Sequence, residues 1–135
     1  HSIDSIDLAK EVSSCSVKKG VTTNVLIEVN CGEESKGGFA FSEVEDAVKA
    51  ISELDGVLVK GIMAMLPHTE DEDVLIKNCL LLRSKYDKLK KDGYPFEYLS
   101  VGMSGDYKIA ISNGSNMIRV GTGIFGERDY TKKVY

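Results

Sequence analysis

The stretch YLSVGMSGDYKIAISNGSNMIRVGTG, residues 98–123, decides how this chain folds. Tyr98 to Val101 is a short apolar run of strand type, and Asn116 to Val120 is a second. Between them, Asp106 to Asn113 has the composition of a short helix closed by Gly114. A strand, a helix and a strand with no hairpin turn joining the runs imply two parallel strands linked by a right-handed crossover.

Reading outward, the same alternation fills the chain. Asp4 to about Ser14 is a helix with Ile6, Ala9 and Val12 on one face, ended by Gly20, and it follows His1 with no element before it. Thr23 to Asn30 is a strand whose centre, Val25, Leu26 and Ile27, is continuous enough to be buried. Ser42 with Glu45 forms a capping-box pattern opening a helix in which Val44, Ala47, Val48, Ile51 and Leu54 keep the helical spacing. Val57 to Met65 is the next strand. After Pro67, Thr69 with Glu72 caps the longest helix, running to about Lys91. The fold class is therefore α/β, with parallel strands and alternating helices. Four strands, near 24–30, 57–63, 98–101 and 116–120, are expected as neighbours in that order. They form either a small doubly wound sheet or about half of a (β/α)8 barrel, with exposed apolar surface or an unpaired edge beside the first and last of them.

Composition narrows the function. The 135 residues are 42% hydrophobic and 28% charged, enough for one cored domain spanning 1–135. A formal net charge of −4 argues against a nucleic-acid partner. No apolar run reaches the roughly 18 residues of a membrane span, and no signal-peptide pattern opens the chain. Cys15, Cys31 and Cys79 are widely spaced, and with only His1 and His68 beside them they suggest neither a disulfide framework nor a metal site. A reducing, cytoplasmic setting fits.

In both architectures ligands gather at the C-terminal strand ends. Two of these, Gly102 to Gly105 and Gly121 to Gly123, are small-residue clusters, each holding one hydroxyl, Ser104 or Thr122. Glycines let the backbone come close, hydroxyls donate, and a helix start offers free N–H groups, so together they suit a phosphate. Ile124 to Arg128 is a candidate for the short extra helix that often completes such a site. Arg119, two residues before Gly121 in an apolar strand, needs a partner if it faces inward. Lys36 reads as a solvated loop residue, His68 as a loop histidine, and Met63 and Met65 as core residues beside a strand end.

The blocks HSID (1–4), VLIEVNCGEESKGG (25–38), VKGIMAM (59–65) and LSVGMSGDYKIAISNGSNMIRVGTGIFGERDY (99–130) resemble, in order, those of the pyridoxal 5′-phosphate homeostasis proteins, the YggS-like family. The resemblance implies a barrel like the N-terminal domain of bacterial alanine racemase, holding pyridoxal 5′-phosphate (PLP) at its C-terminal rim. It places Ser104, Gly121 and Thr122 on the phosphate and Arg119 opposite the pyridine nitrogen. With the strand-end residues Met63 and Gly105 added, these make the expected cofactor-binding set, and no catalytic residue is expected. An arginine donates to the ring nitrogen without protonating it, which weakens the ring as an electron sink and suits a carrier. The family's Schiff-base lysine precedes the HSID block, so the chain is expected to be the C-terminal portion of a longer barrel whose N-terminal half is its partner. The alternative is a fragment of a PLP-dependent racemase or decarboxylase. Alanine racemase, however, takes a catalytic tyrosine from a second domain, for which a chain ending at Tyr135 has no room. Without the resemblance, a small phosphate-binding sheet module is a third reading.

Overall fold

The apolar run at Val25, Leu26 and Ile27 lies in the strand β2 (Thr23–Asn30), paired along its length with β4 (Val57–Ala64). These coordinates are a computed structural model describing residues 1–131; Tyr135 lies outside the described residues. β4 pairs on its other side with β5 (Tyr98–Met103), and β5 with β6 (Met117–Arg119), every pair parallel. The four strands expected from the sequence are thus neighbours in chain order. A fifth, β1 (Ser2–Ile3), pairs with Leu26 and Ile27 on the outer side of β2. A short β3 (Phe39–Ala40) pairs with Val29 and Asn30. The expectation of no element before the first helix is therefore corrected, and β2 is not an edge strand. Two residues are too few to show the alternation by which strands are read.

Among the described residues four helices join the strands, α1 (Ile6–Lys19), α2 (Val44–Ser52), α3 (Glu72–Lys91) and α4 (Tyr107–Ser112), and a fifth, α5 (Thr122–Phe125), follows β6. The sheet order β1-β2-β4-β5-β6 never reverses. Right-handed crossovers then put successive helices on one face, whereas a doubly wound sheet needs a reversal. The curved half-barrel is the architecture that remains. Its core lies between the helices and that face: Val25, Ile27, Val29, Val59, Ile62, Leu99 and Val101 are at most 3% exposed and pack with Val48, Ile51, Leu82 and Leu89.

The helix starts differ from the sequence reading in a physical way. Ser5 caps α1 by accepting from Leu8 N at 3.2 Å, and Gly20, at φ 65°, closes it as expected, the helical turns running on to Lys19 rather than stopping near Ser14. Ser42 does not cap α2, because Phe41–Glu43 is a 3-10 turn in which Glu43 Oε2 accepts from Ala40 N at 3.0 Å. Asp71, not Thr69, caps α3, accepting from Asp73 N and Val74 N, while Thr69 Oγ1 accepts from Asp71 N. At α3 the Asp71 carboxylate, two residues nearer the helix than Thr69, takes the free amides of the first turn.

Glu45 on α2 bridges Lys85 and Lys88 on α3, each at 2.7 Å, while Lys85 lies 4.7 Å from the Phe41 ring centre. The two lysines hold the Glu45 carboxyl down at about 2, against an ordinary 4.5. A carboxyl depressed in the folded state adds stability above its unfolded pKa, and that stability is lost as pH falls toward the folded value. Thermal unfolding of Glu45→Gln is therefore expected to show a flatter loss of stability between about pH 4.5 and 2 than the wild type. With the Glu45 side chain 39% exposed, the difference shrinks as salt is added.

The β6 side carries exposed apolar surface, as expected: Ile124, Phe125 and Tyr130 are 70%, 85% and 87% exposed. No helix among the described residues is long and apolar enough to cross a membrane.

Candidate functional site

The C-terminal strand ends meet at one rim, where β5 and β6 bring the two small-residue clusters together. Gly102 has φ 109°, and a Cβ there would lie 2.9 Å from Ala110 Cβ and 3.0 Å from Tyr107 Cα, so the chain can turn into α4 only as glycine. Asp106 Oδ1 accepts from Met103 N at 2.7 Å and closes the turn. Ser104 Oγ accepts from Gly123 N at 3.0 Å, tying the β5 loop to the first turn of α5. That extra helix lies at Thr122–Phe125, slightly before the Ile124–Arg128 segment expected. A Cβ built on Gly105 or Gly121 meets nothing within 4 Å, so open space borders both. Thr122 is exposed at the start of α5, whose first amides have no intrahelical acceptor.

Arg119 is half-buried and reaches away from β6. Its Nη2 donates to Ala64 O at 2.7 Å and lies 3.5 Å from Ser100 O, while Nε is buried with no hydrogen-bond partner among the described residues. Burial lowers the guanidinium pKa, opposed by Glu28 and Asp106. An arginine stays protonated through such a shift. Met63 lies in β4 on the same face, beside Ser100 and one residue before the Ala64 carbonyl that Arg119 touches.

At a second part of the rim the sequence shows the strand end, Asn30 to Gly32, but not the bonding that organises it. Asn30, at the end of β2, organises the loop after it: its Nδ2 donates to Glu33 O and Lys36 O, and its Oδ1 accepts from Gly32 N and Glu33 N, all within 2.8 Å. Lys36 is ion-paired with Glu33 and lies 3.4 Å from Leu66 O, so it is not the freely solvated lysine expected. The pairing holds the Glu33 carboxyl below its usual range. The signal was the three-residue spacing of Glu33 and Lys36. His68 joins through its backbone amide, 3.4 Å from Glu33 Oε1, rather than through its ring. Burial pushes the Cys31 and Cys79 thiols up to about 11, which makes both poor nucleophiles.

Residues 1–129 match the family profile of the alanine racemase N-terminal domain. The chain belongs to that family. It is 36% identical over 132 residues to the pyridoxal phosphate homeostasis protein of Aquifex aeolicus, a match covering 96% of this chain and 58% of the relative. Among solved structures it is similar to an unknown protein from Bifidobacterium adolescentis, with TM-score 0.87 and 40% identity over 91% of this chain and 51% of that one. It is also similar to PipY of Synechococcus elongatus PCC7942 with PLP bound, with TM-score 0.83 and 25% identity over 93% and 59% of the two chains. This alanine racemase N-terminal-domain chain spans somewhat over half the length of the curated relatives it matches. Its neighbours have alanine racemase-like barrel folds, and its six-stranded parallel sheet has the architecture of about half of such a barrel.

Proposed function

We propose that this chain carries the phosphate-gripping and ring-facing side of a PLP site, in a cytoplasmic protein that holds the cofactor for homeostasis without turning over amino acids. The observation that carries the reading is Arg119: a half-buried guanidinium whose Nε donor has no partner. Leaving such a donor unsatisfied is costly, and a pyridine nitrogen is an acceptor that would satisfy it. Ser104, Gly105, Gly121 and Thr122 supply a hydroxyl-lined opening with free amides at the same rim, which fits a phosphate. Met63 would lie beneath the ring. When bound, PLP supplies an aldehyde to which amines attach and a ring that withdraws electrons. Arg119 donates to the ring nitrogen but does not give up its proton, which limits that withdrawal and favours carriage over catalysis.

The names of the similar proteins support this reading: pyridoxal phosphate homeostasis protein for one, a PLP-bound form for another. In it, the chain is the C-terminal part of a single barrel domain, and the attachment lysine belongs to strands that precede His1. Membership in the alanine racemase family favours a second reading, a PLP-dependent racemase or decarboxylase. Titrating the complete protein with PLP, followed by absorbance, is expected to give saturable binding, weakened by Arg119→Gln. Amino acids incubated with the loaded protein in deuterated water are expected to keep their α-protons. No saturable binding would overturn the reading, and rapid α-proton exchange would replace it with the second.

A further inference from the structure

The direction in which Arg119 leans is unexplained by the carbonyls it touches. Glu28, Met63, Ser100 and Met117 are register partners across β2, β4, β5 and β6. Register partners in parallel strands project from one face, and so do alternate residues along a strand. Arg119, two residues beyond Met117, therefore shares a face with Glu28. Its guanidinium crosses β5 and stops at the carbonyl of Ala64, whose register partner on β2 is Val29, the residue after Glu28. The side chain thus carries its charge toward β2 rather than up to the small-residue loops.

Carbonyls satisfy hydrogen bonds but bring no net charge, and a half-buried cation needs a counter-charge. Two carboxylates act on Arg119 through space, Glu28 first and Asp106 second. Asp106 is already committed to Met103 N. The Glu28 carboxylate, half-buried, forms no hydrogen bond or ion pair among the described residues. The other cation in this part of β4, Lys60, is paired with Glu97.

We propose that Glu28 is a positioning residue for Arg119: a counter-charge on the inner sheet face that draws the guanidinium across the ends of β5 and β4 and leaves Nε facing the site. What Nε meets there rests on the PLP reading; the positioning does not.

Nitrogen-15 NMR of arginine side chains in the complete protein, with the Arg119 Nε–H signal assigned by Arg119→Lys, tests this without any ligand. In Glu28→Gln that signal is expected to shift and broaden as the guanidinium loses its fixed orientation, while Glu28→Asp keeps the charge and stays nearer the wild type. PLP affinity is expected to fall about tenfold in Glu28→Gln, the order of one charge-assisted contact, and less in Glu28→Asp. If Glu28→Gln does not fold, Glu28→Met, matching its neighbour Met63, takes its place. An unchanged Arg119 signal would overturn the proposal, as would equal effects of the aspartate and the uncharged variant. If the wild type binds no PLP, the functional reading fails while the Arg119 signal still decides the positioning.

Discussion

Gly61→Ala is expected to destabilise the protein by more than about 3 kcal/mol, a large share of the roughly 5–15 kcal/mol that holds a domain together. Gly61 lies in the centre of the sheet, paired with Leu26 on one side and Tyr98 on the other. The register skips Lys60, which bulges out between Val59 and Gly61. Passing the bulge takes Gly61 to φ 155°, and a Cβ there would lie 1.8 Å from Tyr98 O and 2.8 Å from Tyr98 C. Both are backbone atoms of a paired strand, so relief requires β4 and β5 to separate where Leu99 and Ile62 anchor the core. Urea unfolding of the complete protein is the measurement, with Gly105→Ala as comparison. Gly105 has open space around its Cβ and no positive φ, so its change is expected to stay within about 0.5 kcal/mol. A Gly61→Ala protein as stable as the wild type would contradict the strand register described above.

The second large effect is on binding. Ser104→Ala and Thr122→Val are each expected to weaken PLP binding by about 10- to 100-fold, since a hydrogen bond to a charged group contributes about 1.5–3 kcal/mol. Ser104 also accepts from Gly123 N, so its loss loosens the start of α5 as well as removing a donor. Thr122 is exposed, and its change should leave stability within about 0.5 kcal/mol. Inorganic phosphate should compete with PLP in the wild type and poorly in the double variant. Affinity unchanged in the double variant would remove the phosphate site from this rim.

The strands and helices were legible wherever periodicity ran long enough. Val25 to Val29, the α2 stripe ending at Ile51 and the apolar face of α3 each declare their partner surface. β1 was not legible, because Ser2 and Ile3 owe their strand geometry to β2, to which His1 O is also bonded through Leu26 N. The bulge at Lys60 had one sign, the glycine after it. Three polar residues compete to start α3, and only the geometry shows that Asp71 wins.

At the rim, Ser104, Gly121 and Thr122 could be picked out because small residues and hydroxyls recur at strand ends. Arg119 could be placed on its strand, but whether it faced solvent or interior was open from spacing alone. Its reach to Ala64, and the share Glu28 has in that, depend on the register of strands far apart in sequence. Asn30 could likewise be placed at its strand end, but its four hydrogen bonds depend on how the loop after it folds back.

On the proposed reading, residues 1–135 grip PLP but do not attach it. Lys36 is occupied by Glu33, Lys60 lies within β4 and is paired with Glu97, and Lys108 is exposed on α4. Borohydride fixation of bound PLP to its lysine in the complete protein, followed by peptide mapping, decides where the attachment lies. The expected result is one stoichiometric label on a lysine outside these residues. A stoichiometric label on any single lysine within them, Lys36 above all, would contradict it.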